Sequence, residues 1–185
     1  MASAITQFVV GAAMALPAME LPVLRGVMSR WTIPVTAGLF GAVPDLDTPL
    51  MRALGLPYGT FFSHRGFFHS PFFLAILAFA VAAMVAKGRA LPWLAFVWWV
   101  SAASHPLLDM LTDGGSGVML LFPLSTERYF FPWRPIRVSP LSIAGFFDRA
   151  GEILLSELPF CAAAVAFGMT ARKLLASRAQ TPSAR

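Results

Sequence analysis

Residues 67–86, FFHSPFFLAILAFAVAAMVA, contain no Lys, Arg, Asp or Glu. A hydrocarbon core about 30 Å thick needs about 20 apolar residues in a helix. A second run of that kind, residues 91–111, follows the short polar turn KGRA, so the pair reads as an antiparallel helical hairpin. Residues 152–172 form a third run, ending in the basic stretch ARKLLASR. Residues 4–22 form a weaker fourth, and 31–43 a short fifth. Bilayers admit only helices or closed barrels, and these runs exceed the roughly 9–11 residues of a barrel strand. The expected fold is therefore all-α: an integral membrane bundle of four or five transmembrane helices. Its two functional loops, residues 44–66 and 112–150, lie on one side.

Composition agrees with this class. The chain has 185 residues, 57% hydrophobic and 12% charged, against about 25% charged in an average soluble domain. The net charge of +5 comes from basic residues scattered singly among apolar runs, which points to a membrane surface and away from nucleic acid. The single cysteine, Cys161, excludes an intramolecular disulfide. The N-terminus lacks a basic signal-peptide n-region, so residues 1–22 are expected to be retained. One membrane-embedded domain is expected over residues 1–176, with a disordered tail at 177–185.

The basic residues also give an orientation. With five spans, Arg25, Arg30, Lys87, Arg89, Arg172, Lys173, Arg178 and Arg185 share one side with only Glu20 opposing them. Short loops rich in Lys and Arg stay in the cytoplasm. The other side, with Asp45, Asp47, Asp109, Asp113, Asp148, Glu127, Glu152 and Glu157, is expected to face outward.

That outward side gathers all three histidines of the chain. In SHPLLDMLTDGG, His105 and Asp109 are spaced i, i+4 and share one helix face; an ionisable residue at the end of a membrane helix is a functional hypothesis by default. A mutually neutralising His–Asp pair is the plainer reading. In SHRGFFHSP, Gly66 permits a turn between His64 and His69, while Ser70 and Pro71 suit a helix start. Arg65 there could meet an anion, or could simply snorkel. In PDLDTP, Asp45 and Asp47 are weak evidence alone. Together, imidazoles and carboxylates on one face are the usual ligands of zinc and of dinuclear hydrolytic sites.

The elements PDLD, HRGFFHS and SHPLLDMLTDGG…LLFP resemble the YdjM family of membrane-bound metal-dependent hydrolases, some of them LexA-regulated. The matches cover about residues 5–140 in the same order, and the His-Arg-Gly-x-x-His-Ser element is fairly specific. The resemblance implies a bacterial or archaeal inner-membrane protein binding a divalent metal, zinc first and Mn or Mg next, as one or two ions. It implies Asp45, Asp47, His64, His69, His105 and Asp109 as ligands. The family's likeness to zinc-dependent phospholipases C points to phosphoester bonds. Four positions depart from the pattern: Gln7 and Thr48 stand where histidines are usual, Phe68 for a threonine, and Pro106 for a leucine.

The expected function is a metal-dependent phosphoesterase acting on a phosphorylated lipid or lipid-linked substrate. Arg65, Asp47 and Thr112 are the candidate catalytic groups, and Arg65, Arg128, Arg134 and Arg137 the candidate substrate-binding ones. Membrane lipids are the expected partners, and the oligomeric state stays open. The alternative is a transporter or scaffold using the His/Asp cluster as an ion or proton site. Transporters of known type usually show repeats and broken helices deep in the bilayer, and none is visible here. A membrane metalloprotease lacks its His-Glu-x-x-His.

Overall fold

The computed structural model describes residues 1–180. Among these the regular structure is helical, with two isolated β-bridges and no strand. In chain order the α-helices are α1 (Ala4–Met14), α2 (Pro22–Arg25), α3 (Thr32–Ala42), α4 (Asp47–Ala53), α5 (Pro71–Val85), α6 (Ala90–Met110) and α7 (Ile143–Gln180). Three 3₁₀ turns link them: Leu16–Glu20, Val43–Leu46 and Phe67–His69.

Several expected spans are shorter than their apolar runs. Ser70 caps α5, its hydroxyl accepting from the Phe73 amide, and Pro71 opens it. That leaves 15 helical residues out of the apolar run at 67–86. The α-helix of the first run is capped at Ala15, and a 3₁₀ turn with Pro17 as its second residue follows. Among the described residues, only α7, over Ile143–Arg178, is both long and apolar enough to cross a membrane by itself, so a bundle of four or five full spans is not established. α7 begins nine residues before the expected 152 and contains 38 residues, about 57 Å at 1.5 Å per residue. It continues through 177–180, which were expected to be tail; the rest of that tail, 181–185, lies outside the described residues.

α6 is the central helix, and most of its faces are buried. α5 packs against it through Leu74, Ala78 and Ala82, an i, i+4, i+8 stripe. α3 packs on it through Ile33 and Ala37, with Phe40 stacked on Trp98 at 4.5 Å. The indole Nε1 of Trp98 donates to Thr36 Oγ1 at 3.0 Å, which satisfies that buried donor. The opposite faces leave large apolar side chains exposed, among them Leu39, Ile76, Phe79, Phe96, Leu155 and Phe167.

α1 and α3 meet along a seam of small residues, Gly11, Gly38 and Gly41. A Cβ on Gly41 would lie 2.5 Å from the Gln7 carbonyl oxygen, so no larger residue fits. α7 closes over α1 through Glu157, a fully buried carboxylate that accepts from the Ser3 amide, the Ser3 hydroxyl and the Thr6 hydroxyl. It thereby satisfies groups at the start of α1 that no helical carbonyl can reach. The long connection between α6 and α7 is pinned by bridges pairing Thr112 with Ile136 and Val118 with Tyr129.

Candidate metal centre

Every candidate ligand comes from a helix end or from the loop between α4 and α5. The 3₁₀ turn after α3 presents Asp45, and α4 begins with Asp47. The loop before α5 presents His64 and His69 around Gly66. A Cβ at Gly66 would sit 2.2 Å from the Phe61 carbonyl, so the tight turn between the histidines requires glycine. The last turns of α6 supply His105 and Asp109 on its buried face.

These side chains converge. One ligand atom each of Asp45, His64, His69 and Asp109 lies within 4.8 Å of all the others, a group that could hold a metal ion. His105 Nε2 is 3.3 Å from Asp45 Oδ1 and 3.8 Å from Asp109 Oδ2. His69 Nε2 is 3.8 Å from Asp45 Oδ1 and 3.7 Å from Asp109 Oδ2.

Behind this group the ring nitrogens are held by other partners. His105 Nδ1 lies 2.8 Å from the Gly41 carbonyl, a pure acceptor, which makes Nδ1 the protonated nitrogen and leaves the Nε2 lone pair open. Asp47 spans two histidines: Oδ1 is 2.9 Å from His64 Nδ1, and Oδ2 is 3.0 Å from His69 Nδ1. A carboxylate or carbonyl behind each imidazole is the usual outer support of a metal site.

The donors fit a cation. Among the described residues, the buried side-chain nitrogens and oxygens without a hydrogen-bond partner belong to Gln7, Asp45, Asp47, His64, His69 and His105. Each such atom normally costs about 1–3 kcal/mol, so their crowding at one place calls for a shared partner. Burial pushes the Asp45 carboxyl up, but His105 and His69 outweigh it and hold it below the usual carboxylate range. Asp47 is held low in the same way by His64 and His69. Burial pushes His64 down against the pull of Asp47. Ionised carboxylates and a neutral imidazole are the forms that bind metal.

Arg65 has a different place from the one its sequence position suggests. It is fully buried, with a positive φ of 62°. Its Nε donates to Asp109 Oδ2 at 3.0 Å, Nη1 to the Gly114 and Ser116 carbonyls, and Nη2 to Thr112 Oγ1. Four of its five N–H groups are committed in this way, and the side chain has no exposure through which to meet a phosphate in solvent. Thr112 takes that bond and donates to the Asp109 carbonyl, so its hydroxyl is committed as well. Arg65 and Thr112, expected as catalytic groups, are placed by the structure against Asp109: one through its carboxylate, the other through its carbonyl.

Arg128 is likewise a clamp. Its guanidinium donates to the carbonyls of Thr60, His64 and Gly117 and to the hydroxyls of Ser63 and Ser116, which ties the histidine loop to the α6–α7 connection. Arg137 pairs with Asp113 at 2.9 Å, and exposed Arg134 lies over the Phe130 ring at 4.9 Å. Neither lines the groove that opens over His64.

Sequence spacing missed three contributors. The Gly41 carbonyl leaves no side-chain signal. The Ala2 amide donates to Asp109 Oδ1 at 2.8 Å. Arg149, on the first turns of α7, lines the groove over His64 and reaches it only through tertiary structure.

Comparison with known proteins adds two matches. The family model described as YdjM inner membrane protein matches residues 1–175. The inner membrane protein YbcI of Escherichia coli (strain K12) is 37% identical over 125 residues, covering 65% of this chain and 70% of its own. No solved structure matches.

Proposed function

The chain belongs to the YdjM inner membrane protein family, and on that footing we propose that it is a multi-pass, metal-dependent hydrolase of the inner membrane that cleaves a phosphoester in a lipid or lipid-linked substrate. The observation that carries this reading is the cluster of Asp45, His64, His69 and Asp109 at the helix mouths, where Asp45 Oδ1 and Oδ2 and the Nε2 atoms of His64, His69 and His105 have no hydrogen-bond partner. A site on an ion pathway belongs deep among the helices. This one sits at the ends of α3, α5 and α6, and a surface groove leads to His64.

Asp45, His64, His69, His105 and Asp109 would hold the ion or ions, zinc first by its preference for imidazole with carboxylate. When bound, it supplies a water acidic enough to ionise near neutral pH and an electrophile for a phosphoryl oxygen. The chain itself does the positioning. Asp47 orients His64 and His69, the Gly41 carbonyl orients His105, and Arg65 with the Ala2 amide fixes both oxygens of Asp109.

The large apolar side chains left exposed on α3, α5, α6 and α7 support several crossings, since such surface is costly in water and at home in lipid. The basic side, with Arg25, Arg30, Lys87 and Arg172, is placed in the cytoplasm and the metal centre outside. A cysteine at position 113 should react with a probe that cannot cross the membrane, and one at position 87 should not; the reverse pattern inverts the orientation.

The function is tested by elemental analysis of purified protein together with hydrolysis of p-nitrophenyl phosphate and of lipid phosphomonoesters and diesters. Bound zinc and turnover abolished by His105→Ala support the reading. Protein that takes up no divalent ion between pH 6 and 9 defeats it.

A further inference from the structure

Two grooves end on neighbouring residues of the centre. One, of about 220 Å³, is lined by Tyr58, His64, Gly115, Ser139, Leu141 and Arg149. The other, of about 150 Å³, is lined by Leu46, Leu50, Phe73, Leu74 and Leu77, with Asp47 as its only charged residue. His64 Nδ1 and Asp47 Oδ1 are 2.9 Å apart, so the grooves approach one hydrogen-bonded pair from two directions. Each is smaller than the roughly 300–1,000 Å³ that takes a whole small ligand. Their linings differ in kind: an arginine, a tyrosine and an imidazole in one, hydrocarbon from α4 and α5 in the other.

We propose that the substrate is a single-chain amphiphile held in two pieces, its anionic phosphate head in the groove between His64 and Arg149 and the first part of its hydrocarbon chain between α4 and α5, so that the phosphoester bond lies across the His64–Asp47 pair. His64 is almost fully buried, and its ring is held from behind by Asp47. It is the polar floor of the first groove. Arg149 stands at the rim, paired with Glu152 three residues on, and both are about half exposed. An exposed pair of that kind holds its partners weakly, and a dianionic phosphate is the stronger acceptor for a guanidinium. A phosphate can therefore draw Arg149 from Glu152. The apolar groove has no polar partner to offer a second headgroup. α5, which supplies Phe73, Leu74 and Leu77 to the groove, also carries the exposed apolar residues Phe72, Ile76 and Phe79, so a hydrocarbon chain has lipid-compatible surface on the same helix. The groove's narrow volume suits one chain, not two.

This inference rests on the hydrolase reading for the bond that breaks, but its binding geometry is tested without turnover. The probe is a long-chain alkylphosphonate, which cannot be hydrolysed at its carbon–phosphorus bond, bearing a diazirine on the chain. The full-length protein is loaded with zinc in phosphatidylcholine vesicles, irradiated and digested. Label is expected on the peptides holding Leu46–Leu50 and Phe73–Leu77. Unlabelled long-chain alkylphosphonate should compete it away, and methylphosphonate should not. Leu50→Trp, which fills the groove, should reduce the label severalfold. Arg149→Gln should weaken competition about tenfold, the size of one charge-assisted hydrogen bond. Label spread over α7 or other lipid-facing helices, or label that no competitor displaces, overturns the proposal even if the protein hydrolyses p-nitrophenyl phosphate. Saturable label in the groove without any hydrolysis upholds the binding and defeats only the hydrolase reading.

Discussion

The Arg65 guanidinium grips the Asp109 carboxylate, Nε to Oδ2 at 3.0 Å, and neither side chain is open to solvent. Oδ2 is also the oxygen nearest His69 and His105, at 3.7 and 3.8 Å, so this pair fixes the rotamer of Asp109 and is part of the centre's framework. Removing one partner of a buried pair costs about 3–5 kcal/mol. Arg65→Lys keeps the charge but cannot reach Asp109, Thr112 and two carbonyls together. Its zinc content and thermal stability should both fall. A variant that keeps full zinc and loses only turnover would return Arg65 to the substrate.

Asp47 stands behind two imidazoles. Replacing it with asparagine preserves volume but removes the charge that fixes both rings. Outer partners of this type are worth 10–100-fold in metal affinity. Asp47→Asn should weaken zinc binding by about that factor in a competition titration with a chelator, whereas His105→Ala should bring occupancy close to zero.

Gln7 is fully buried, with Oε1 unpartnered and Nε2 3.4 Å from Asp109 Oδ1. Amide oxygen is a poor zinc ligand beside imidazole. Gln7→His should raise zinc affinity by about tenfold or more, as expected for gaining a nitrogen donor. Unchanged affinity would mean that position 7 lies outside the ligand shell.

A methyl group at Gly41 would press on the Gln7 carbonyl and displace the carbonyl that receives the His105 Nδ1 proton. Overpacking of this kind costs about 1–3 kcal/mol. Gly41→Ala should lower the melting temperature and also weaken zinc binding. Gly26→Ala, with nothing within 4 Å of the added carbon, should change neither.

Asp113 accepts from the Val138 amide and from Arg137. Burial pushes its carboxyl up, but those two donors outweigh it and hold it below its ordinary value. A depressed carboxyl stabilises the fold above its unfolded pKa of about 3.9 and loses that contribution as pH falls through the lower folded value. The pair is largely exposed, so the difference between wild type and Asp113→Asn should stay below about 1 kcal/mol. It should be constant from pH 5 to 8 and vanish in stronger acid. A difference that grows on acidification would contradict this assignment.

The all-helical class and the hairpin of α5 and α6 were legible in the sequence because they follow local rules, whereas α4, at Asp47–Ala53, lies inside a segment that reads as loop. The 91–111 run matches α6 within a residue, and the i, i+4 spacing put His105 and Asp109 on one face. Arg65 was misread for a physical reason. An arginine between two histidines at a helix mouth looks like an anion receptor, and only tertiary structure reveals that the chain turns through a positive φ and sends the guanidinium inward. The early start of α7 was hidden by Asp148, Arg149 and Glu152, which broke the apolar run without breaking the helix. Arg149 gave no signal, because nothing in its neighbourhood along the chain relates it to His64.

The Glu157 clasp on Ser3 and Thr6 sets an order of events during synthesis. The imidazoles and carboxylates of the centre are complete once residue 109 has been made, but the clasp waits for residue 157. At bacterial elongation rates of about 5–20 residues per second, that interval lasts roughly 2–10 s. During it the nascent chain has all its donors but lacks the helix that fastens the start of α1. The donors can thus gather before the clasp closes, and closure comes as the last step that fixes the start of α1.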